Sequence, residues 1–115
     1  MKTIPFLDHI LYDIFGENEP ITARAMMGAH VLYYEGKTFA IVEDDELWFK
    51  GSKETEAWYL TRGSKKFHYM KKGVKQYMNY FQVPQEVYED KESLEIWLEV
   101  ALSVAKLLKR KPDLV

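Results

Sequence analysis

The side chains most able to do chemistry are few in this sequence and stand far apart. Three histidines, His9, His30 and His68, are spread along the chain without the short spacing, such as HxxxH, that brings two imidazoles to one metal ion. Ser52 and Ser64 lack the glycine-flanked turn of a nucleophilic serine, and the isolated glycines do not form a phosphate-binding loop. The chain contains no cysteine, which excludes a thiol nucleophile and a thiolate metal site. We therefore predict no catalytic residue, no metal and no cofactor.

Four consecutive acidic residues at positions 43–46 are the strongest candidate for a cation site, because hard cations prefer carboxylate oxygens. The run lacks the alternating ligands and the central glycine of an EF-hand loop. It also lies between two apolar segments, which is typical of a turn between strands. We interpret it as the solvated tip of a β-hairpin.

The most informative charged region is basic. Residues 57–85 contain six Lys or Arg and no acidic residue, whereas residues 1–56 carry a net charge of −6 and residues 86–115 one of −2. Lysines interleaved with aromatic residues can contact phosphates and stack on bases. The simpler interpretation is that Phe67 and Tyr69 face the core while the lysines keep the hairpin soluble and protect the sheet edge. The residues predicted to contact nucleic acid or an acidic partner are Lys65, Lys66, Lys71, Lys72 and Lys75.

Composition sets the class of protein. A chain of 115 residues with 47% hydrophobic residues is the size of one domain and has enough apolar material for a core, so we predict a single domain over residues 1–115. The overall net charge of −2 excludes a wholly basic nucleic-acid binder. Asp8 and Asp13 interrupt the N-terminal region before any apolar run reaches the length of a signal peptide or membrane span. With no cysteine, these features predict a cytoplasmic protein without a membrane partner.

Apolar spacing predicts an α+β fold with an antiparallel sheet of about five strands, in the order α-β-β-β-α-β-β-α. In the predicted strand over 38–42, alternation places Phe39 and Ile41 on one face and Ala40 and Val42 on the other. This strand is therefore expected to be central and covered on both sides. We expect the sheet to be entered through residues 22–28. The predicted elements are a helix over 6–14, strands over 31–34, 38–42 and 46–50, a helix over 52–60, a hairpin over 67–71 and 74–80, and a final helix over 94–108.

The final predicted helix is unusually apolar. Between Leu94 and Leu108, eleven of fifteen residues are apolar, an arc too wide for a helix that lies on one sheet surface. One interpretation is a helix sunk in the core, and the other is a helix shared with a second copy or a protein partner. The residues predicted to form that interface are Leu94, Trp97, Leu98, Ala101, Val104 and Leu108.

From residues 22–28 onward, the chain resembles the N-terminal domain of the TfoX/Sxy family of bacterial competence regulators. Its most specific parts are the Arg-x-Met-x-Gly pattern of Arg24, Met26 and Gly28, and the Met-x-Tyr-x-x-Val-Pro pattern of residues 78–84. Between and after them, the resemblance continues through LWFK (47–50), FHY (67–69), KKG (71–73) and the final helix. The family's run of glycines after the methionine is reduced here to Gly28, which is followed by Ala29.

The resemblance implies an antiparallel α/β domain in the same order of elements and a regulator of DNA-uptake genes, without enzyme activity or cofactor. Regulators of this family carry a second, C-terminal domain, and we expect this chain to act without it. Our first hypothesis is a non-enzymatic TfoX-like domain that acts through protein contacts, as a homodimer or with a partner, in transcriptional regulation. The alternative is a nucleic-acid-binding module that uses the basic hairpin. A third hypothesis, an unrecognised enzyme or a small-ligand binder, requires one pocket that joins Arg24, His30 and Tyr33.

Overall fold

The computed structural model describes residues 5–16, 18–26 and 28–105. It confirms the α+β class, but the sheet has six strands rather than about five. The additional strand is β1, because the segment expected as an entry to the sheet pairs along its whole length with the next strand. In chain order the elements are α1 (Pro5–Asp8), a π-helical segment (His9–Phe15), β1 (Ile21–Met26), β2 (Ala29–Tyr34), β3 (Lys37–Glu43), β4 (Glu46–Lys50), α2 (Glu56–Leu60), β5 (Lys66–Lys71), β6 (Val74–Gln82), α3 (Gln85–Tyr88) and α4 (Lys91–Val104).

The sheet is antiparallel throughout, and its strands lie in the order β1-β2-β3-β4-β6-β5. Two-residue turns join β2 to β3, β3 to β4 and β5 to β6. Both residues of each turn have φ between 50° and 83°, as the turns that match the twist of a hairpin require. These turns are Glu35–Gly36, Asp44–Asp45 and Lys72–Gly73, and each lies between two strands that the sequence predicts. The acidic run is thus the tip of a hairpin, as interpreted above.

The helices pack on one face of the sheet and enclose the main core. The Tyr59 ring of α2 stacks on Phe81 of β6 with centroids 4.8 Å apart, and Trp97 of α4 lies 5.6 Å from Tyr59. The Tyr59 hydroxyl donates a hydrogen bond to the Lys50 carbonyl at 3.0 Å, and burial raises the pKa of this phenol. Space is tight beside this stack, since a Cβ on Gly51 would approach a Phe81 ring carbon to 2.4 Å.

The opposite face, which we call the open face, carries a second and smaller cluster formed by Ile41, Trp48 and Phe67. β3 is therefore covered on both sides, as predicted, but Phe39 does not share the face of Ile41. It lies in the main core with Ala40, because the pairing of β2 with β3 shifts at this point and inserts one extra residue into β3. Such a bulge reverses the alternation of side chains along the strand.

The ends of the helices differ in part from the predicted limits. α2 begins at Glu56 rather than at Ser52, because Ser52 and Thr55 form a turn in which each side chain accepts a hydrogen bond from the other's backbone N–H. α4 begins at Lys91, where the Asp90 carboxylate accepts from the Ser93 N–H at 3.1 Å. Within the described residues, no helix has the length and apolar content needed to cross a membrane.

Candidate functional site

The β5–β6 hairpin has a base within the sheet and a tip that extends past it. At the base, Phe67 packs edge-on against Trp48 with ring centroids 5.0 Å apart. We call residues 68–79 the hairpin tip, and every one of them is exposed. β4 pairs with β6 only at residues 80–82, so none of the other described strands flanks the tip. The expectation that Tyr69 joins Phe67 in the core is therefore wrong: Phe67 is 8% exposed and Tyr69 44%.

The two faces of the hairpin tip present similar chemistry. Residues opposite one another in an antiparallel pair share a face. His68 therefore lies on the same face as Tyr77, with ring centroids 5.7 Å apart, and Tyr69 lies on the other face opposite Gln76. Each face thus carries an aromatic ring beside a lysine. The large apolar residues exposed at the tip are Tyr69, Met70, Val74, Tyr77 and Met78.

The basic residues of this region divide into two groups. Lys66 is half-buried at the base, where its ammonium lies 2.8 Å from the Glu56 carboxylate of α2, and it serves the fold. Lys65 is exposed near the base, with its ammonium 6.0 Å from the centre of the Trp48 ring. The lysines at the tip are Lys71, Lys72 and Lys75, which are all exposed.

This arrangement suits binding rather than catalysis. Three exposed lysines within residues 71–75, with no carboxylate in residues 57–85, create a positive potential that attracts phosphates or carboxylates. The adjacent rings and methionine side chains offer apolar contact area once a partner has been oriented. Within the part of the chain that the structure describes, no group of three or more His, Asp or Glu could hold a metal ion.

Helix α4, the other predicted interface, is largely part of the core. Leu94, Trp97 and Ala101 are 7%, 5% and 0% exposed and belong to the main core cluster, which corresponds to the interpretation of a helix sunk in the core. Leu98 and Val104 are half-buried, and Leu108 lies outside the described residues. Contact of α4 with a second chain stays a prediction, and of the described residues predicted to form it only Leu98 and Val104 remain partly exposed.

The residues of the Arg-x-Met-x-Gly pattern lie at the opposite edge of the sheet from the hairpin tip. Arg24 and Met26 are exposed on the edge strand β1, and Met26 is 50% exposed. Gly28 follows in the turn to β2 with φ of +85°, a conformation that favours glycine. The Arg-x-Met-x-Gly pattern and the hairpin tip are therefore separate surfaces.

The residues of the small-ligand hypothesis do not come together. His30 pairs with Val42 and shares the helix-covered face with it. Arg24 pairs with Val31, which packs against the cluster on the open face, and Tyr33 follows Val31 by two positions on the same face. Strand alternation thus places His30 on the opposite side of the sheet from the other two.

Sequence reasoning missed the open-face cluster around Trp48. A shallow cavity of about 210 Å³ lies over Trp48 and Phe67, between the acidic β3–β4 turn and the basic start of β5. The Trp48 indole N–H is buried without a hydrogen-bond partner among the described residues. Burial and the neighbouring carboxylates raise the pKa of Glu43 at the rim of this cavity. The alternation of Leu47, Trp48 and Phe49 is the signal that could have revealed a second apolar face.

Comparison with known protein families finds a match over most of the chain. A search of curated proteins found no match. The sequence model of the TfoX N-terminal domain family matches residues 13–105, from the first helical region to the end of α4. This match covers most of the chain and includes both edges of the sheet. The chain belongs to the TfoX N-terminal domain family.

Proposed function

We propose that this chain is a non-enzymatic, cytoplasmic regulatory domain that acts through protein–protein contacts in the transcriptional regulation of competence-type genes. Membership of the TfoX N-terminal domain family supports a competence-related regulatory role. The observation that carries the proposal is the hairpin tip, where three exposed lysines stand among large exposed apolar side chains. The partner that fits this surface is a protein with an acidic and partly apolar binding face.

The side chains between the lysines favour a protein over a nucleic acid. Met70 and Val74 are 59% and 58% exposed, and they pack well against apolar protein surfaces but cannot stack on a base as a ring does. Flexible methionines are common at protein-binding surfaces because they adapt to a partner's shape. Contiguous exposed apolar residues also mark interaction sites in soluble proteins.

The alternative, direct binding of nucleic acid, is favoured by the rings on both faces of the tip. Tyr69 and Tyr77 are 44% and 58% exposed and flank the lysines, as in proteins that combine stacking with phosphate contacts. This function requires affinity that falls steeply with salt, because bound lysines displace counterions from the phosphates. It also requires that nuclease treatment removes the ligand.

The experiment uses the intact chain as bait in nuclease-treated native lysate. The tip variant combines Lys71→Glu, Lys72→Glu and Lys75→Glu, and the control variant combines Lys37→Glu, Lys53→Glu and Lys91→Glu. The control has the same net charge, and its lysines are also exposed but lie outside the hairpin. We expect a protein that the wild type and the control variant retain and the tip variant loses. Retention by the tip variant would contradict the proposal.

A mobility assay with single- and double-stranded oligonucleotides separates the alternative from the first proposal. Salt-dependent binding by the wild type that is lost in the tip variant would favour the nucleic-acid function. Absence of a shift at low salt, together with a protein retained after nuclease treatment, is the result that we expect.

A further inference from the structure

The two edges of the sheet differ in how they are protected. β5 carries lysines at both ends, and its pairing with β6 is irregular near the base; both features are devices that discourage pairing with another strand. β1 has only one charged residue, Arg24, and pairs with β2 in unbroken register from Ile21 to Met26. Five of its six residues are exposed, and no described strand covers its outer side. Among the described strands, β1 is therefore an open and regular edge.

The register of β1 shows which backbone groups face outward. The Pro20 carbonyl accepts from the Glu35 N–H at 2.9 Å, and these residues continue the pairing in which Ile21 faces Tyr34. Hydrogen-bonded and non-bonded pairs alternate along an antiparallel ladder. Residues 22, 24 and 26 therefore bond to β2, while residues 21, 23 and 25 direct their N–H and C=O groups away from the sheet.

The outward groups match a second copy of the same strand. The Ile21 N–H is already bonded to the Glu19 carbonyl at 2.7 Å, which leaves the N–H groups of Ala23 and Ala25 as the outward donors of β1. An antiparallel pair with its two-fold axis at Ala23 joins each Ala23 to the Ala23 of the other copy and each Ala25 N–H to an Ile21 carbonyl. Both donors of both copies are then satisfied.

Charge is compatible with this register and disfavours the neighbouring one. Centring the pair at Ala23 places Arg24 opposite Thr22 of the second copy, whereas centring it at Arg24 would place two like charges opposite one another, which destabilises a strand pair. We propose that β1 is a self-association surface, which joins two copies of this chain into one continuous antiparallel sheet with the two-fold axis at Ala23.

This surface is separate from the hairpin tip, so its test does not depend on the proposed function. Because the chain has no cysteine, a single Ala23→Cys substitution places one thiol opposite its copy. Cα atoms of a bonded antiparallel pair are about 5.5 Å apart, which is within the range of about 4.4–6.8 Å that a disulfide spans. Ala25→Cys is the matched control, since it lies on the same face and edge but faces Ile21 of the second copy.

In a glutathione redox buffer, we expect the Ala23→Cys variant to form a disulfide-linked dimer about tenfold or more faster than the Ala25→Cys variant, because pairing raises the effective thiol concentration only at position 23. Equal rates would overturn the proposed register. The wild type should dimerise in sedimentation equilibrium at concentrations up to about 1 mM, which reveals even weak association. A monomeric wild type over that range would overturn the proposal.

A backbone variant tests the hydrogen bonds themselves. Ala23→Pro removes an N–H that faces outward and leaves the bonds to β2 in place, as is tolerated on an edge strand. We expect this variant to be monomeric with an unchanged circular dichroism spectrum. The tip variant should dimerise as the wild type does, and dimerisation that persists in a folded Ala23→Pro variant would contradict the β1 pairing. If Ala23→Pro does not fold, the two cysteine variants decide.

Discussion

Helix α4 and the β5–β6 hairpin are the two regions whose sequences suggest an interaction surface. In the structure, α4 is largely buried and the hairpin is largely exposed. α4 buries Trp97 and Ala101 in the main core, whereas the hairpin extends past the sheet and leaves Tyr77 58% exposed. The difference lies in what surrounds each segment. α4 packs against β3 and β4, while in the part of the chain that the structure describes only β5 and β6 reach the hairpin tip. Apolar content alone therefore does not identify a binding surface.

The largest expected effect is on the helix side of this comparison. Trp97→Ala should lower the free energy of unfolding by about 3–5 kcal/mol, because it removes a buried ring and leaves a cavity beside Trp58, whose ring centroid is 5.2 Å away. Ile96→Ala, at the neighbouring position that is 57% exposed, should change it by less than about 0.5 kcal/mol. Urea denaturation of the two variants measures the difference. A similar loss in both would mean that α4 does not pack as described.

The second prediction compares the loss of stability on truncating a ring at the base of the hairpin with that on truncating a ring at its tip. Phe67→Ala should lower the free energy of unfolding by about 3 kcal/mol, the low end for a truncated phenylalanine, since the ring is buried against Trp48 in the smaller cluster on the open face. Tyr69→Ala, two positions further on the same face, should cost less than about 0.5 kcal/mol because Tyr69 is exposed. The shift in thermal midpoint of each variant is the measurement. A large loss for Tyr69→Ala would show that something covers the tip.

The sequence predicts the parts of this fold that depend on local chemistry. Gly36, Gly73 and the paired aspartates supply positive φ at the turns, and the apolar repeat of α4 indicates a helix. It does not predict the parts that depend on distant neighbours. The strand at Ile21–Met26 has weak apolar alternation and becomes evident only through its pairing with β2, and the bulge at Phe39 arises from the shift between β2 and β3.

The candidate site was predictable to the same extent. The absence of acidic residues from 57–85 and the turn at Lys72–Gly73 locate a basic hairpin. Which lysines serve the fold depends on a helix ten positions earlier, because Lys66 pairs with Glu56. The exposure of Tyr69 depends on where β4 stops pairing with β6. The sequence alone does not indicate how far that pairing extends.

The smallest expected effect concerns the start of α4 and its dependence on pH. Hydrogen bonds from the Ser93 hydroxyl and N–H lower the pKa of Asp90 below its usual 3.8. A carboxylate with a lowered folded pKa stabilises the fold above its unfolded pKa, and this contribution is lost as pH falls through the folded value. Urea denaturation below about pH 4 should therefore show a slightly smaller loss of stability in Asp90→Asn than in the wild type. An identical pH dependence in both chains would contradict the cap.

The central claim is that the hairpin tip, rather than α4, meets the regulatory partner. A photo-crosslinking amino acid placed at Tyr77 or at Ile96 compares the two regions directly, since both positions are exposed to a similar extent, 58% and 57%. In nuclease-treated native lysate, we predict a protein adduct from position 77 that disappears in the background of the tip variant, and no adduct from position 96. An adduct from position 96 without one from position 77 would contradict the account and would make α4 the binding surface.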